Sequence, residues 1–226
     1  MTSLWSSLIP LIVGGALVPI QIIITVMLLR SSAGKLTAVA WVAGMTAVRL
    51  VQGLLFGLVF GSVETSSTAT GGPGTAIWVL LLALAVMFYV TAAKNLLKHP
   101  DEDAPPPKWM AMIEGVRPGK AFALGAGVLG IGAKFWVFTL GAIAAIADAG
   151  LGSAAAIGIF ILFVVLTESI HLILLVIAFA LPERSAGVLD SVNATLKKYN
   201  RVIMIVLGLV FGTWFLIKAL SGLGLF

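Results

Sequence analysis

The chain has 226 residues, of which 60% are hydrophobic and 10% charged, with a mean hydropathy of +1.14, more apolar surface than a water-soluble domain of this length could bury in one core. It therefore belongs in a bilayer. Zero cysteines exclude a disulfide framework and thiol redox chemistry, and two histidines argue against a dedicated metal cage. The formal charge of +5 is scattered among the connections between apolar runs and forms no single stripe, so it reads as a topology signal and not as a nucleic-acid surface.

A helix needs about 20 mostly apolar residues to cross the hydrocarbon. Six stretches qualify: Leu8–Leu29, Leu36–Gly61, Ala76–Leu97, Ala121–Ala147, Ser153–Leu181 and Val202–Leu220. The expected fold is an all-α polytopic membrane protein. No Lys or Arg precedes Arg30, so the first run lacks the basic flank of a cleavable signal and reads as a retained span. Arg30 and Lys35 mark the first connection, Lys98, Lys108, Arg117 and Lys120 the third, and Arg184, Lys197, Lys198 and Arg201 the fifth. The second carries only Glu64 and the fourth only Asp148. By the positive-inside rule the odd connections are cytoplasmic and both termini lie outside.

Span one contains "GGALVPIQ", in which Pro19 perturbs the helix just before the polar Gln21. Span two contains "RLVQGLLFGLVFG", which places Arg49, Gly53, Gly57 and Gly61 at four-residue spacing on one face. That is a tandem small-xxx-small pattern suited to close helix packing, and it turns Arg49 toward protein.

The third connection, residues 98–120, is the only long polar, Pro-rich segment and reads as a cytoplasmic linker between residues 1–97 and 121–226. Its "KWMAMIEGVR" part and the later "AGVLDSVNATLKKYN" read either as amphipathic surface helices or as solvated loops. Three spans on each side of it require the second triplet to be upside down relative to the first, the arithmetic of an inverted repeat.

Span four opens with "GAGVLGIGAK", where Gly130 and Gly132 interrupt the helix before Lys134, much as Pro19 precedes Gln21. Interrupted helices at corresponding positions of two halves point to a midplane site, although membrane helices also tolerate Gly and Pro without any function. The G-x-G-x-x-G of Gly125 to Gly130 follows no strand, so no dinucleotide site is read from it.

Span five carries Glu168 and His171, three residues apart and so about 60° apart around a helix. A charge at the centre of a membrane helix costs roughly 2.5–3.5 kcal/mol on insertion scales, so Arg49, Lys134, Glu168 and His171 are expected to face the interior and find partners. One reading pairs Glu168 with Arg49; another gives Glu168 and His171 a proton-coupling role. The plain structural alternative is an ion-pair network that fixes helix register. Two fixed cations against one carboxylate leave a positive excess that suits an anionic cargo group held by Arg49 and Lys134, with Gln21 as a neutral hydrogen-bond donor. The Glu-x-x-His spacing lacks the second such helix a metal bundle would need. No nucleophile stands at an evident elbow and no nucleotide loop is present, so neither an enzyme nor a cofactor is expected.

With the six spans and the segments "VPIQ" and "GIGAKFW" in view, the whole chain resembles the lysine-exporter superfamily. Within it, the chain is most similar to the peptidoglycolipid-addressing proteins, which include sulfolipid-addressing proteins. The family's Asn-Pro-Lys step at the start of the second half stands here as Gly132-Ala133-Lys134. The resemblance implies a multi-pass protein of a bacterial plasma membrane that moves an anionic lipid or cell-envelope glycolipid. The alternatives it leaves open are an exporter of a small solute such as an amino acid or ion, and a non-transporting subunit of a lipid-export machine. Membrane lipids, a lipid-export protein and a second copy of the chain are the partners implied.

Overall fold

A computed structural model describes residues 2–31, 34–63, 74–97, 110, 113 and 115–225. Among them every regular element is a helix. They run α1 (Thr2–Ala16), α2 (Pro19–Arg30), α3 (Lys35–Val63), α4 (Gly74–Leu97), α5 (Pro118–Ile131), α6 (Ala133–Asp148), α7 (Ser153–Thr167), α8 (Ser169–Ala180) and α9 (Pro182–Gly222).

By length and apolarity, α3 and α9 are each able to cross a membrane on their own. Three further crossings come from bent pairs: α1 with α2 at 47°, α5 with α6 at 68°, and α7 with α8 at 58°. That makes two to five candidate spans among the described residues, against the six expected. The expected third span, Ala76–Leu97, corresponds to the 24-residue α4.

Each break has a local cause. Leu17 and Val18 separate α1 from Pro19, which lacks an N–H and so opens α2. Gly132 alone separates α5 from α6, and a Cβ placed there would lie 2.6 Å from both the Phe135 ring and the Val128 carbonyl oxygen, a fit only glycine makes. Glu168 separates α7 from α8, with φ −87° and ψ 0°. This third break corrects the expectation of one continuous helix over Ser153–Leu181. That run is longer than a crossing needs, and a bend takes up the excess.

The chain divides into two compact units, Met1–Phe60 with Pro105–Lys197, and Gly61–Ala104 with Lys198–Phe226. Each draws on both sides of the 98–120 segment. In the first unit α2 is buried nearly all round, from Pro19 through Leu29, as an apolar helix without a polar face must be. Around it the packing is tight enough to need glycine. A Cβ on Gly44 of α3 would sit 2.2 Å from the Phe122 carbonyl oxygen, and one on Gly125 of α5 would sit 2.2 Å from that of Trp41. These reciprocal contacts let the two backbones touch. A turn through Gly34, at φ +81°, links α2 to α3. The outer faces of α3, α7 and α8 show Leu50, Leu54, Ile157, Ile161, Ile173 and Val176 to the surroundings. Apolar residues outside and polar ones inside is the arrangement a bilayer selects.

The second unit pairs α4 with the later part of α9. Gly208 packs on Ala92 and Phe88, Gly212 on the Tyr89 ring and Gly222 on the Trp78 ring. Phe88, Phe211, Trp214 and Phe215 form one aromatic cluster with centroid separations of 5.0–6.4 Å. Arg201 closes the helix end of α4 by donating to the carbonyl oxygens of Asn95 and Leu96, each at 2.8 Å.

Candidate functional site

Four elements of the first unit bring their polar side chains to one place. On α3, Trp41, Met45, Arg49 and Gly53 recur every four residues along one ridge. On α2, Gln21 and Thr25 are likewise one turn apart. Thr139 comes from α6, and Glu168 and His171 come from the α7–α8 break and the first turn of α8. All of these polar groups are buried, with exposures of 0–2%.

The centre is an ion pair. Arg49 Nε donates to Glu168 Oε1 at 2.8 Å, and Arg49 Nη1 donates to Thr139 Oγ1 at 3.4 Å. Glu168 Oε2 has no hydrogen-bond partner among the described residues and lies 4.0 Å from His171 Nε2. At its other nitrogen, His171 Nδ1 lies 2.9 Å from Thr25 Oγ1. The Trp41 indole N–H donates to the same Thr25 oxygen at 3.1 Å, and the Thr25 hydroxyl lies 3.0 Å from the Gln21 main-chain oxygen. The contacts of α2 with α8 place the two helices side by side. Gly15, near the end of α1, comes so close to Thr167, at the end of α7, that a Cβ on it would lie 2.6 Å from the threonine methyl. The end of α1 thus meets the end of α7, and Thr25 of α2 reaches His171 of α8.

Arg49, Glu168 and His171, expected to share one space, are brought together. Gln21 is fully buried and neither its Oε1 nor its Nε2 has a partner among the described residues. Lys134 starts the first turn of α6, but its side chain lies outside the described residues. Pro19 and Gly132 stand at the breaks; Gly130 lies within α5, where its carbonyl accepts from Trp136 Nε1 at 3.0 Å. The break of that pair therefore falls at Gly132. Of the tandem glycines, Gly53 packs under the Phe160 ring, where a Cβ would lie 2.1 Å from a ring carbon. Gly57 meets nothing within 4 Å among the described residues, and Gly61 is described only as helical backbone. Close backbone approach occurs instead at Gly44 and Gly125.

Sequence reasoning missed Thr25, Trp41, Thr139 and Gln52. Gln52 lies one turn from Arg49 on α3, is 3% exposed, and has both side-chain polar atoms without a partner among the described residues. The available signal was its i,i+3 spacing from Arg49 inside an apolar span. Among the described residues no group of three His, Asp or Glu side chains is placed to hold a metal ion.

An unpaired carboxylate oxygen and two partnerless carboxamides, all buried, each carry an unsatisfied-group cost of about 1–3 kcal/mol. Such groups are what a site that receives a polar guest or water leaves unfilled. Neither a curated protein nor a solved structure matches the chain. The sequence model of the family described as Sap, sulfolipid-1-addressing protein, matches residues 8–221. On that match, which covers almost its whole length, the chain belongs to the sulfolipid-1-addressing protein family.

Proposed function

We propose that the protein is a carrier that moves an anionic lipid or glycolipid across the bacterial plasma membrane, between two oppositely oriented three-helix repeats with both termini outside. The observation that carries this reading is the buried Arg49–Glu168 pair, flanked by the partnerless Glu168 Oε2, Gln21 and Gln52, in a chain of a lipid-addressing family. While Glu168 is ionised it occupies Arg49. A proton on Glu168 removes that competition and leaves the guanidinium to a phosphate, sulfate or carboxylate of the cargo. Cargo and proton then use Arg49 in turn, which is the exchange a proton-coupled carrier requires. Gln21 and Gln52 supply neutral hydrogen bonds to the headgroup, and Lys134, at the start of α6, adds a second cation. The bends at Pro19, Gly132 and Glu168 are the points about which half-helices rock.

The test is reconstitution into vesicles that contain a headgroup-labelled anionic lipid, with a membrane-impermeant quencher reporting which leaflet holds the label. The wild type accelerates exchange, and Arg49→Ala and Lys134→Ala abolish it while the protein keeps its fold. Unchanged exchange in both variants overturns the anion clamp. Movement of a small carboxylate solute with no movement of lipid would install the small-solute exporter in its place, and movement of neither would favour the accessory subunit.

A further inference from the structure

The hydrogen-bond inventory around Thr25 determines more than a contact. A threonine hydroxyl has one proton to donate and two lone pairs to accept with. Three groups surround Thr25 Oγ1: the Trp41 indole nitrogen at 3.1 Å, the Gln21 main-chain oxygen at 3.0 Å and His171 Nδ1 at 2.9 Å. The indole N–H only donates, so it takes one lone pair. A carbonyl oxygen only accepts, so it takes the hydroxyl proton. What remains for His171 is the second lone pair, and Nδ1 fills it only by carrying a hydrogen.

We infer that Thr25, held by Trp41 and the Gln21 carbonyl, sets His171 in the Nδ1–H tautomer, so that Nε2 is the bare, proton-accepting nitrogen and faces Glu168. Thr25 and Trp41 are positioning residues in this scheme. Nε2 stands 4.0 Å from Glu168 Oε2, the carboxylate oxygen that Arg49 leaves free. A slight approach, or one intervening water, connects them. A proton leaving Glu168 Oε2 as O–H arrives at Nε2, and the electron pair of the broken O–H bond stays on the carboxylate. The ring becomes an imidazolium with both nitrogens protonated, and the carboxylate returns to its bond with Arg49. The charged groups nearest the ring among the described residues are Glu168 and Arg49, the latter holding the other oxygen of the same carboxylate. The opposite tautomer would turn an N–H toward Glu168 and block the transfer until the ring had rotated or lost that proton.

The use of this arrangement as a relay rests on the transport reading, whereas the tautomer stands on the hydrogen-bond geometry alone. The experiment therefore needs no cargo. The chain has two histidines, His99 and His171, so His99→Gln leaves one labelled ring after growth on 15N-histidine. Nitrogen NMR of that protein in bilayers, at a pH where the ring is neutral, is expected to show Nδ1 protonated and Nε2 bare as the major form. Thr25→Val, which removes the acceptor, is expected to convert the major form to Nε2–H, and Thr25→Ser, which restores the hydroxyl, to return it. A wild-type ring that is mainly Nε2–H overturns the inference, as does a Thr25→Val ring that stays Nδ1–H. Should Thr25→Val fail to fold, the wild-type and Thr25→Ser spectra decide. A correct tautomer in a protein that moves no lipid would count against the carrier alone.

Discussion

The two units solve the same problem of packing helices in an apolar setting, and they leave different things behind. In the second, Gly208, Gly212 and Gly222 fit against Ala92, Tyr89 and Trp78, aromatic rings fill the seam, and Tyr89 shares a 2.8 Å hydrogen bond with Thr213. In the first, glycines do the same at Gly44 and Gly125, but the interior also holds an ion pair and a set of polar atoms with nothing to bond. Among the described residues all the partnerless buried polar atoms belong to the first unit. Stability alone explains the second unit. The first gives up stability at its centre, which is where strained or unsatisfied groups signal function.

The sharpest way to break this contrast is to remove one member of the ion pair. Arg49→Met leaves Glu168 buried and unopposed and is expected to cost about 3–5 kcal/mol in denaturant unfolding, whereas adding Glu168→Leu recovers much of that loss. A double variant as unstable as the single one would mean that the pair is not coupled. Next come the glycines. Gly44→Ala and Gly208→Ala both drive a methyl into main-chain atoms of a neighbour and are expected to cost about 1–3 kcal/mol each, one in either unit. Gly57→Ala has open space and is expected to gain about 0.5–1 kcal/mol from helix propensity. Equal effects at Gly44 and Gly57 would remove the argument for backbone contact.

The glutamines sharpen the comparison in the opposite direction. Gln21→Leu and Gln52→Leu take away polar groups with no partner, so each is expected to leave unfolding unchanged or to stabilise by up to about 1–3 kcal/mol, while lipid exchange falls. A loss of stability in both would show that they are bonded after all. In the second unit, Tyr89→Phe removes one hydrogen bond and is expected to cost about 0.5–1.5 kcal/mol without touching lipid exchange.

Arg49, Glu168, His171 and Gln21 were legible in the sequence because polar groups inside apolar runs are expensive wherever the chain folds. Thr25, Trp41 and Thr139 were not, since threonine and tryptophan are ordinary in membrane helices and matter here only through the atoms opposite them. The bends at Pro19 and Gly132 had chemical marks, a missing N–H and a missing side chain. The bend at Glu168 had none, because its neighbours Thr167 and Ser169 are common within helices. The four-residue glycine spacing drew attention to Gly53, Gly57 and Gly61, yet the backbone-to-backbone contact formed at Gly44 and Gly125, which are far apart along the chain.

Residue order was enough to establish a helical membrane protein, the family it belongs to and the short roster of costly interior groups. Those follow from hydrophobic transfer and the price of burying charge, which act residue by residue. The pairing of Arg49 with Glu168, the three donors and acceptors around Thr25 and the orphaned amides came only with the fold. Hydrogen bonds depend on distance and direction, and separations of 119 or 146 residues are closed by helix crossings that no local pattern encodes.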